Sequence, residues 1–223
     1  DVFAEEPVDP DNPLLSVDDV VVTPHLGAST EAAQENVATS TAEQVLAAFA
    51  DEPVTNALNA PSVDASAFSA IEPYIELAET AGKIAVQLFD GRVDTIEVEY
   101  AGDIADEDVD LVTASALKGV FRPLEWKANA VNARRIAEER GIDVRESKTR
   151  HSEDFHSLVT VTVSEGDESV SVCGTQFAGG DPRIVRIDEF RVEAIPHGHM
   201  LVARNEDVPG VIGFIGTVLG EHD

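Results

Sequence analysis

The sequence contains 223 residues, 43% of them hydrophobic, and its 43 acidic residues outnumber 15 basic ones to give a formal net charge of -28. This excess of negative charge argues against nucleic acid as a partner, and no apolar run reaches the roughly 20 residues of a membrane-spanning helix. Nothing resembles a secretion signal and the single cysteine, Cys173, cannot form an internal disulfide, so we expect a soluble cytoplasmic protein of more than one domain.

The first 50 residues predict one strand and one long helix. Residues 20–23 form a short β-branched run, typical of a buried parallel strand. Ser29 or Thr30 can cap the following helix, whose apolar positions recur at helical spacing to about residue 50. Residues 53–65 contain prolines and small polar side chains without periodicity, which predicts a linker between domains.

The next segment, residues 66–196, predicts an α+β domain because stretches of helical and of alternating periodicity are mixed within it. Cys173 lies in an alternating stretch and is expected to be buried and unreactive. The predicted helices span 72–89, 108–121 and 131–140, and the predicted strands span 93–100, 142–147, 157–163, 169–176, 184–187 and 190–195.

Beyond residue 196 the pattern predicts a strand at 200–204, a loop, and a helix at 209–219 with Pro209 at its favoured first position. His197 and His199 would share one face of a strand, but no third ligand follows at a metal-binding spacing. We therefore predict no metal site.

The opening stretch carries the chemistry-bearing pattern of the chain. An imidazole that follows a short apolar strand, with a carboxylate earlier in the same segment, is the pair needed to move a proton off a hydroxyl. This stretch resembles the end of the nucleotide-binding domain of the D-isomer-specific 2-hydroxyacid dehydrogenases. The resemblance rests on Asp1-Val2-Phe3, Glu6-Pro7, Asn12-Pro13-Leu14 and Thr23-Pro24-His25-Leu26-Gly27-Ala28-Ser29-Thr30.

The resemblance implies that residues 1–52 close a Rossmann-like domain of an NAD-dependent oxidoreductase. It implies that His25 is the general acid/base and that Glu6 orients and charges its ring. It also implies contacts to NAD from Asp1 and from the backbone of His25, Leu26, Gly27 and Ala28, where the absence of a Cβ on Gly27 permits close approach.

The rest of the chain resembles the long form of this family, which has an intervening α+β domain and a carboxyl-terminal ACT domain of ferredoxin-like fold. Residues 201–213 resemble the opening strand and helix of an ACT domain, so we place a partial one at 197–223. The long form implies oxidation of 3-phosphoglycerate to 3-phosphohydroxypyruvate, the first step of L-serine biosynthesis. It further implies a homo-oligomer, expected to be a tetramer, and L-serine as an effector near Asn205 and Asp207.

Two alternatives stay open. The sequence begins inside the motif and lacks a G-x-G-x-x-G run, so we expect that fingerprint and the substrate-binding arginine upstream. The chain is then a carboxyl-terminal fragment that is inactive alone, and it could act as a non-catalytic regulatory or oligomerisation module. The other alternative is a dehydrogenase for a different 2-hydroxy acid.

Charge supports two further expectations. Cations are scarce, and we expect Lys118, Arg122, Arg134 and Arg135 to pair with the abundant carboxylates, the alternative being a cluster that binds an anion. The acids are spread along the whole chain, so their repulsion destabilises the folded state at low ionic strength. This predicts a salt-rich host cytoplasm, against the alternative of an acidic protein from an ordinary cell.

Overall fold

The computed structural model describes residues 1–50, 54, 65–124, 126–152, 154–177, 180–206 and 208–221, without the side chains of 65–67. The helices are α1 (Glu31–Phe49), α2 (Ala65–Leu88), α3 (Asp110–Phe121), α4 (Ala133–Arg140) and α5 (Val211–Gly220). The strands are β1 (Thr95–Gly102), β2 (Asp143–Thr149), β3 (Ser157–Glu165), β4 (Glu168–Gln176), β5 (Pro182–Ile187) and β6 (Phe190–Ala194). None of the described helices combines the length and apolar character needed to span a membrane.

The six strands form one sheet in the order β2-β1-β3-β4-β5-β6. β1 and β2 are parallel and are joined through α3 and α4, whereas the other neighbours are antiparallel. The β3–β4 turn contains Gly166 with φ of 59°, which a residue without a Cβ adopts readily. The expected α+β domain is therefore confirmed.

Helices cover one face of the sheet. α2 packs on β3, β4 and β5, α3 packs on α2 and β1, and α4 packs on β2. Strand alternation places every second side chain in this layer. The largest fully buried side chains include Ile71 and Leu77 of α2, Leu117 and Phe121 of α3, and Ile96, Val98, Tyr100, Val159 and Ile184 of the sheet.

Tyr100 shows how the core accommodates a polar atom. Its hydroxyl lies 2.7 Å from the Thr113 hydroxyl of α3, so both buried groups have a partner. Burial raises the pKa of Tyr100 well above its ordinary value, and the phenol stays neutral.

The structure differs from the sequence predictions at two predicted strands and at the starts of two helices. Residues 20–23 and 200–204 form no strand in the described structure, because no neighbouring strand lies beside them to share a hydrogen-bond ladder. α2 begins seven residues before the predicted start and accommodates Pro73 in its interior. α5 begins after Gly210, so Pro209 lies in the preceding turn instead of the first helical position.

The helix α1 is confirmed, and its cap is Thr30, whose side-chain oxygen accepts a hydrogen bond from the Ala33 N–H at 3.1 Å. The predicted linker 53–65 lies outside the described residues except for Val54 and Ala65, and the domain limits stay predictions.

Candidate functional site

The structure brings the Glu6 carboxylate and the His25 imidazole together. Glu6 Oε2 lies 2.8 Å from His25 Nδ1. A tight turn presents the ring: His25 has φ of 53°, an uncommon left-handed value for a residue with a Cβ, and its N–H donates to the Thr23 carbonyl at 3.1 Å. The two residues predicted to form an acid–base couple are thus hydrogen-bonded to each other.

Both oxygens of Glu6 are engaged. Oε2 faces His25, and Oε1 accepts a hydrogen bond from the Phe3 N–H at 3.1 Å. The hydrogen bond with His25, and after it the one from Phe3, hold the pKa of Glu6 below its ordinary value. The side chains of His25 and Glu6 are 61% and 37% exposed, so the ring is accessible to a bound molecule.

A cavity of about 310 Å³ adjoins this couple. Its wall is mostly apolar, and the polar groups are concentrated beside His25. The lining residues are Asp1, Phe3, Glu6, Pro7, Val8, Val22, Thr23, Pro24 and His25. Such a cavity can hold a flat ring against its apolar wall while a polar substituent contacts the imidazole.

The Asp1 carboxylate accepts three hydrogen bonds from the turn that carries His25. Oδ1 accepts from the Thr23 hydroxyl at 2.7 Å and from the Leu26 N–H at 2.5 Å, and Oδ2 accepts from the Gly27 N–H at 2.9 Å. We call residues 23–27 the histidine turn. The side chain of Asp1, more than 20 positions earlier in the sequence, therefore helps to hold the histidine turn in its conformation.

These contacts bear on the predicted cofactor residues. The backbone N–H groups of Leu26 and Gly27 already donate to Asp1, and the Ala28 carbonyl accepts from the Gln34 side chain at 2.6 Å. A Cβ on Gly27 would lie 3.0 Å from Asp1 Oδ2, so the close approach that this glycine permits here is by Asp1. Contacts of Asp1, His25, Leu26, Gly27 and Ala28 with NAD stay predictions.

The histidine turn fits the ring end of a dinucleotide cofactor, since an apolar cavity lies beside polar groups at Asp1 and His25. The sequence contains no glycine-rich strand–turn–helix to hold a pyrophosphate. These residues can therefore account for only the nicotinamide end of such a site.

The predicted effector loop is only partly described. Asn205 is exposed, and its side-chain N–H donates to the Glu206 carbonyl at 3.1 Å. Asp207 lies outside the described residues. An effector role for these two residues stays a prediction.

The four cations for which ion pairs were expected, Lys118, Arg122, Arg134 and Arg135, do form them. Lys118 Nζ and Arg122 Nη1 lie 3.1 and 3.2 Å from the carboxylate of Glu79. Arg134 contacts Asp110 and Glu146, and Arg135 contacts Glu139. The ion-pair interpretation is confirmed for these side chains.

Sequence reasoning missed a second cavity, of about 400 Å³, on the face of the sheet opposite the helices. Phe155 and Phe177 stack there with ring centroids 6.1 Å apart, and Arg186 and Cys173 also line it. Cys173 is buried as predicted, and that burial raises the pKa of its thiol. The cavity is lined by residues from five strands, so no local pattern could reveal it.

Sequence reasoning also missed the role of Thr23 in contacting Asp1. A hydroxyl and two successive N–H groups within residues 23–27 form a set of donors that can bind an anionic acceptor. The sequence gives no sign that this acceptor is Asp1, because 25 residues separate it from Leu26.

Comparison with known proteins identifies the middle of the chain. Residues 70–188, just over half of it, match the family model described as the D-3-phosphoglycerate dehydrogenase intervening domain. The chain belongs to this family. Its intervening domain contains most of the mixed sheet and the helices packed on it, whereas Glu6 and His25 lie outside the matched residues.

Similar proteins extend the likeness beyond the intervening domain. Proteins named D-3-phosphoglycerate dehydrogenase are 41% identical in Archaeoglobus fulgidus, 37% in Methanocaldococcus jannaschii and 34% in Bacillus subtilis. Each match covers 100% of this chain and 42% of the relative. The chain therefore spans less than half the length of these relatives.

Proposed function

We propose that this chain is part of an NAD-dependent D-3-phosphoglycerate dehydrogenase, which oxidises 3-phosphoglycerate to 3-phosphohydroxypyruvate at the start of L-serine biosynthesis. The observation that carries the proposal is the 2.8 Å contact between Glu6 and His25 beside an apolar cavity. Relatives with that printed name align along the whole chain, including this segment. The match to the intervening domain supports the long form of the enzyme.

The geometry indicates how the couple would work. Ionised Glu6 is an acceptor only, so the hydrogen of the contact belongs to His25 Nδ1. In the neutral form of the ring, the other nitrogen, Nε2, carries no hydrogen and can take the proton of the C2 hydroxyl. The lowered pKa of Glu6 keeps its carboxylate charged, which stabilises the imidazolium that forms.

NAD, when bound, would supply the acceptor for the hydride that leaves C2. Asp1 would border its nicotinamide ring, and the apolar side chains of Phe3, Val8 and Val22, which line the same cavity, would shield that ring from water. The residues that recognise the rest of the cofactor and the substrate carboxylate are proposed to lie outside this chain.

Assembly and regulation belong to the same proposal. Helix α5 exposes large apolar side chains, with Ile212 80%, Phe214 71% and Leu219 57% exposed. Such a helix suits burial within a complete ACT domain and against a second subunit. We infer a homo-oligomeric cytoplasmic enzyme, a tetramer, whose ACT domains bind L-serine near Asn205 and Asp207.

The test replaces His25 by alanine in the full-length enzyme. We expect turnover of 3-phosphoglycerate to fall by at least about a hundredfold, the usual contribution of a general base, while NADH still binds. His199→Ala makes the same change at an exposed position and should leave turnover unchanged. Near-normal turnover of His25→Ala would refute the assigned role.

A further inference from the structure

We infer that Asp1 and Thr23 are positioning residues for His25, an inference that rests on the proposed function. Four contacts join the segment 1–6 to the histidine turn. Three end on Asp1, from Thr23, Leu26 and Gly27, and the fourth is the contact between Glu6 and His25. One short segment thus supplies both the carboxylate that pairs with the imidazole and the carboxylate that shapes its backbone.

Apart from these contacts, the turn is held by two local backbone hydrogen bonds, from the His25 N–H to the Thr23 carbonyl and from the Ser29 N–H to the Leu26 carbonyl. Residues 20–26 belong to no helix or strand, and His25 adopts an unfavourable left-handed backbone conformation. Such a conformation persists only where surrounding contacts hold it. The two N–H groups that follow His25 both donate to Asp1, so this carboxylate fixes the direction in which the ring leaves the backbone.

Thr23 in turn orients Asp1. Its hydroxyl donates to Asp1 Oδ1, the oxygen that also accepts from Leu26, at distances of 2.7 and 2.5 Å. Valine has nearly the shape of threonine but lacks this donor, and serine retains it. Comparing valine with serine at position 23 therefore separates the effect of the lost hydrogen bond from the effect of altered packing.

Asp1 offers a second, independent probe. Asparagine keeps one acceptor oxygen but turns the other position into an N–H donor, which would face the N–H of Gly27 or the donors of Thr23 and Leu26. Asp1→Asn should therefore disturb the turn although its size is unchanged.

The experiment measures steady-state kinetics of the full-length enzyme carrying Thr23→Val, Thr23→Ser or Asp1→Asn. A displaced general base lowers turnover more than binding, so we expect kcat to fall about tenfold for Thr23→Val and further for Asp1→Asn. In the oxidation of 3-phosphoglycerate, the KM for NAD should change less than about twofold for Thr23→Val. Thr23→Ser should restore most of kcat, and Thr41→Val, the same change on the exposed surface of α1, should have no effect.

If Asp1 acted only by contacting the cofactor, the changes in kcat and KM would follow the opposite pattern. If Asp1 only contacts the nicotinamide, Asp1→Asn raises the KM for NAD while Thr23→Val leaves kcat at the wild-type value. That result would overturn the inference.

Amide hydrogen exchange tests the turn without reference to activity. In the full-length protein, Thr23→Val and Asp1→Asn should each speed exchange of the Leu26 and Gly27 amides at least about fivefold, and Thr23→Ser should not. A wild-type enzyme inactive on 3-phosphoglycerate would refute the proposed function, whereas unchanged exchange in both variants would refute the positioning role itself.

Discussion

The carbonyl oxygen of Glu79 lies only 1.9 Å from the point that a Cβ on Gly119 would occupy. Helices α2 and α3 therefore meet backbone against backbone at this point. A second close approach supports the first, since a Cβ on Gly82 would lie 2.4 Å from the Ala116 carbonyl oxygen. Residues 111–121 of α3 are all buried, so α3 has little room to move away.

Replacing Gly119 by alanine should destabilise the intervening domain by about 2 to 3 kcal/mol, because overpacking outweighs the better helix propensity of alanine. The midpoint of urea unfolding measures this change. Gly216→Ala is the matched control: it also lies in a helix, but no atom comes within 4 Å of its added Cβ. Equal midpoints for the two variants would show that the contact between α2 and α3 relaxes freely.

The side chain of Glu79 joins the same two helices through charge. Its carboxylate contacts Lys118, whose side chain is only 11% exposed, and Arg122 at the end of α3. Glu79→Gln keeps the size but removes the countercharge, and we expect a loss of about 1 to 3 kcal/mol in urea unfolding.

The exposed pair of Glu139 with Arg135 on α4 provides the control for this change. Glu139→Gln should cost less than about 0.5 kcal/mol, because solvent screens that pair. If both glutamine variants lose the same stability, partial burial of the Lys118 contact has no energetic consequence.

Periodicity predicted the elements that bury one complete face. Ile96, Val98 and Tyr100 alternate with exposed positions on β1, and all three are fully buried. Glycine was equally informative at the end of α4, where Gly141 adopts φ of 69°. In these cases the residue that decides the structure lies within the element itself.

Elements and contacts that depend on distant partners could not be predicted in this way. The β-branched run at 20–23 reads as a strand, but a strand needs a neighbour, and none of the described strands lies beside it. The three hydrogen bonds of Asp1 link residues more than 20 positions apart. The pairing of Glu6 with His25 was predicted only because a family resemblance placed both in one site.

The lowered pKa of Glu6 gives a pH prediction with a definite sign. The folded state favours the carboxylate, so the contact contributes fully above the ordinary pKa of 4.5 and is lost as the pH falls through the lower folded value. A carbon-13 NMR titration should place the Glu6 midpoint below 4.5 and should move it upward in His25→Ala. An unchanged Glu6 midpoint in the variant would contradict the assigned cause.

The net charge of -28 predicts that salt stabilises this protein. Molar salt reduces the screening length to about 3 Å and so removes most of the repulsion between surface carboxylates. The melting temperature should therefore rise as KCl is increased from about 0.1 M to 3 M, and a flat profile would contradict the idea of adaptation to a salt-rich cytoplasm.

A charge-reduced variant separates screening from general effects of salt on folding. Glu97, Asp167 and Glu168 are exposed on the intervening domain, and changing them to Gln, Asn and Gln removes three charges with little change in size. Because these carboxylates add to the repulsion, the variant should melt higher than the wild type at 0.1 M KCl and gain less from added salt. An equal gain in both proteins would mean that KCl acts through hydrophobic burial instead of screening.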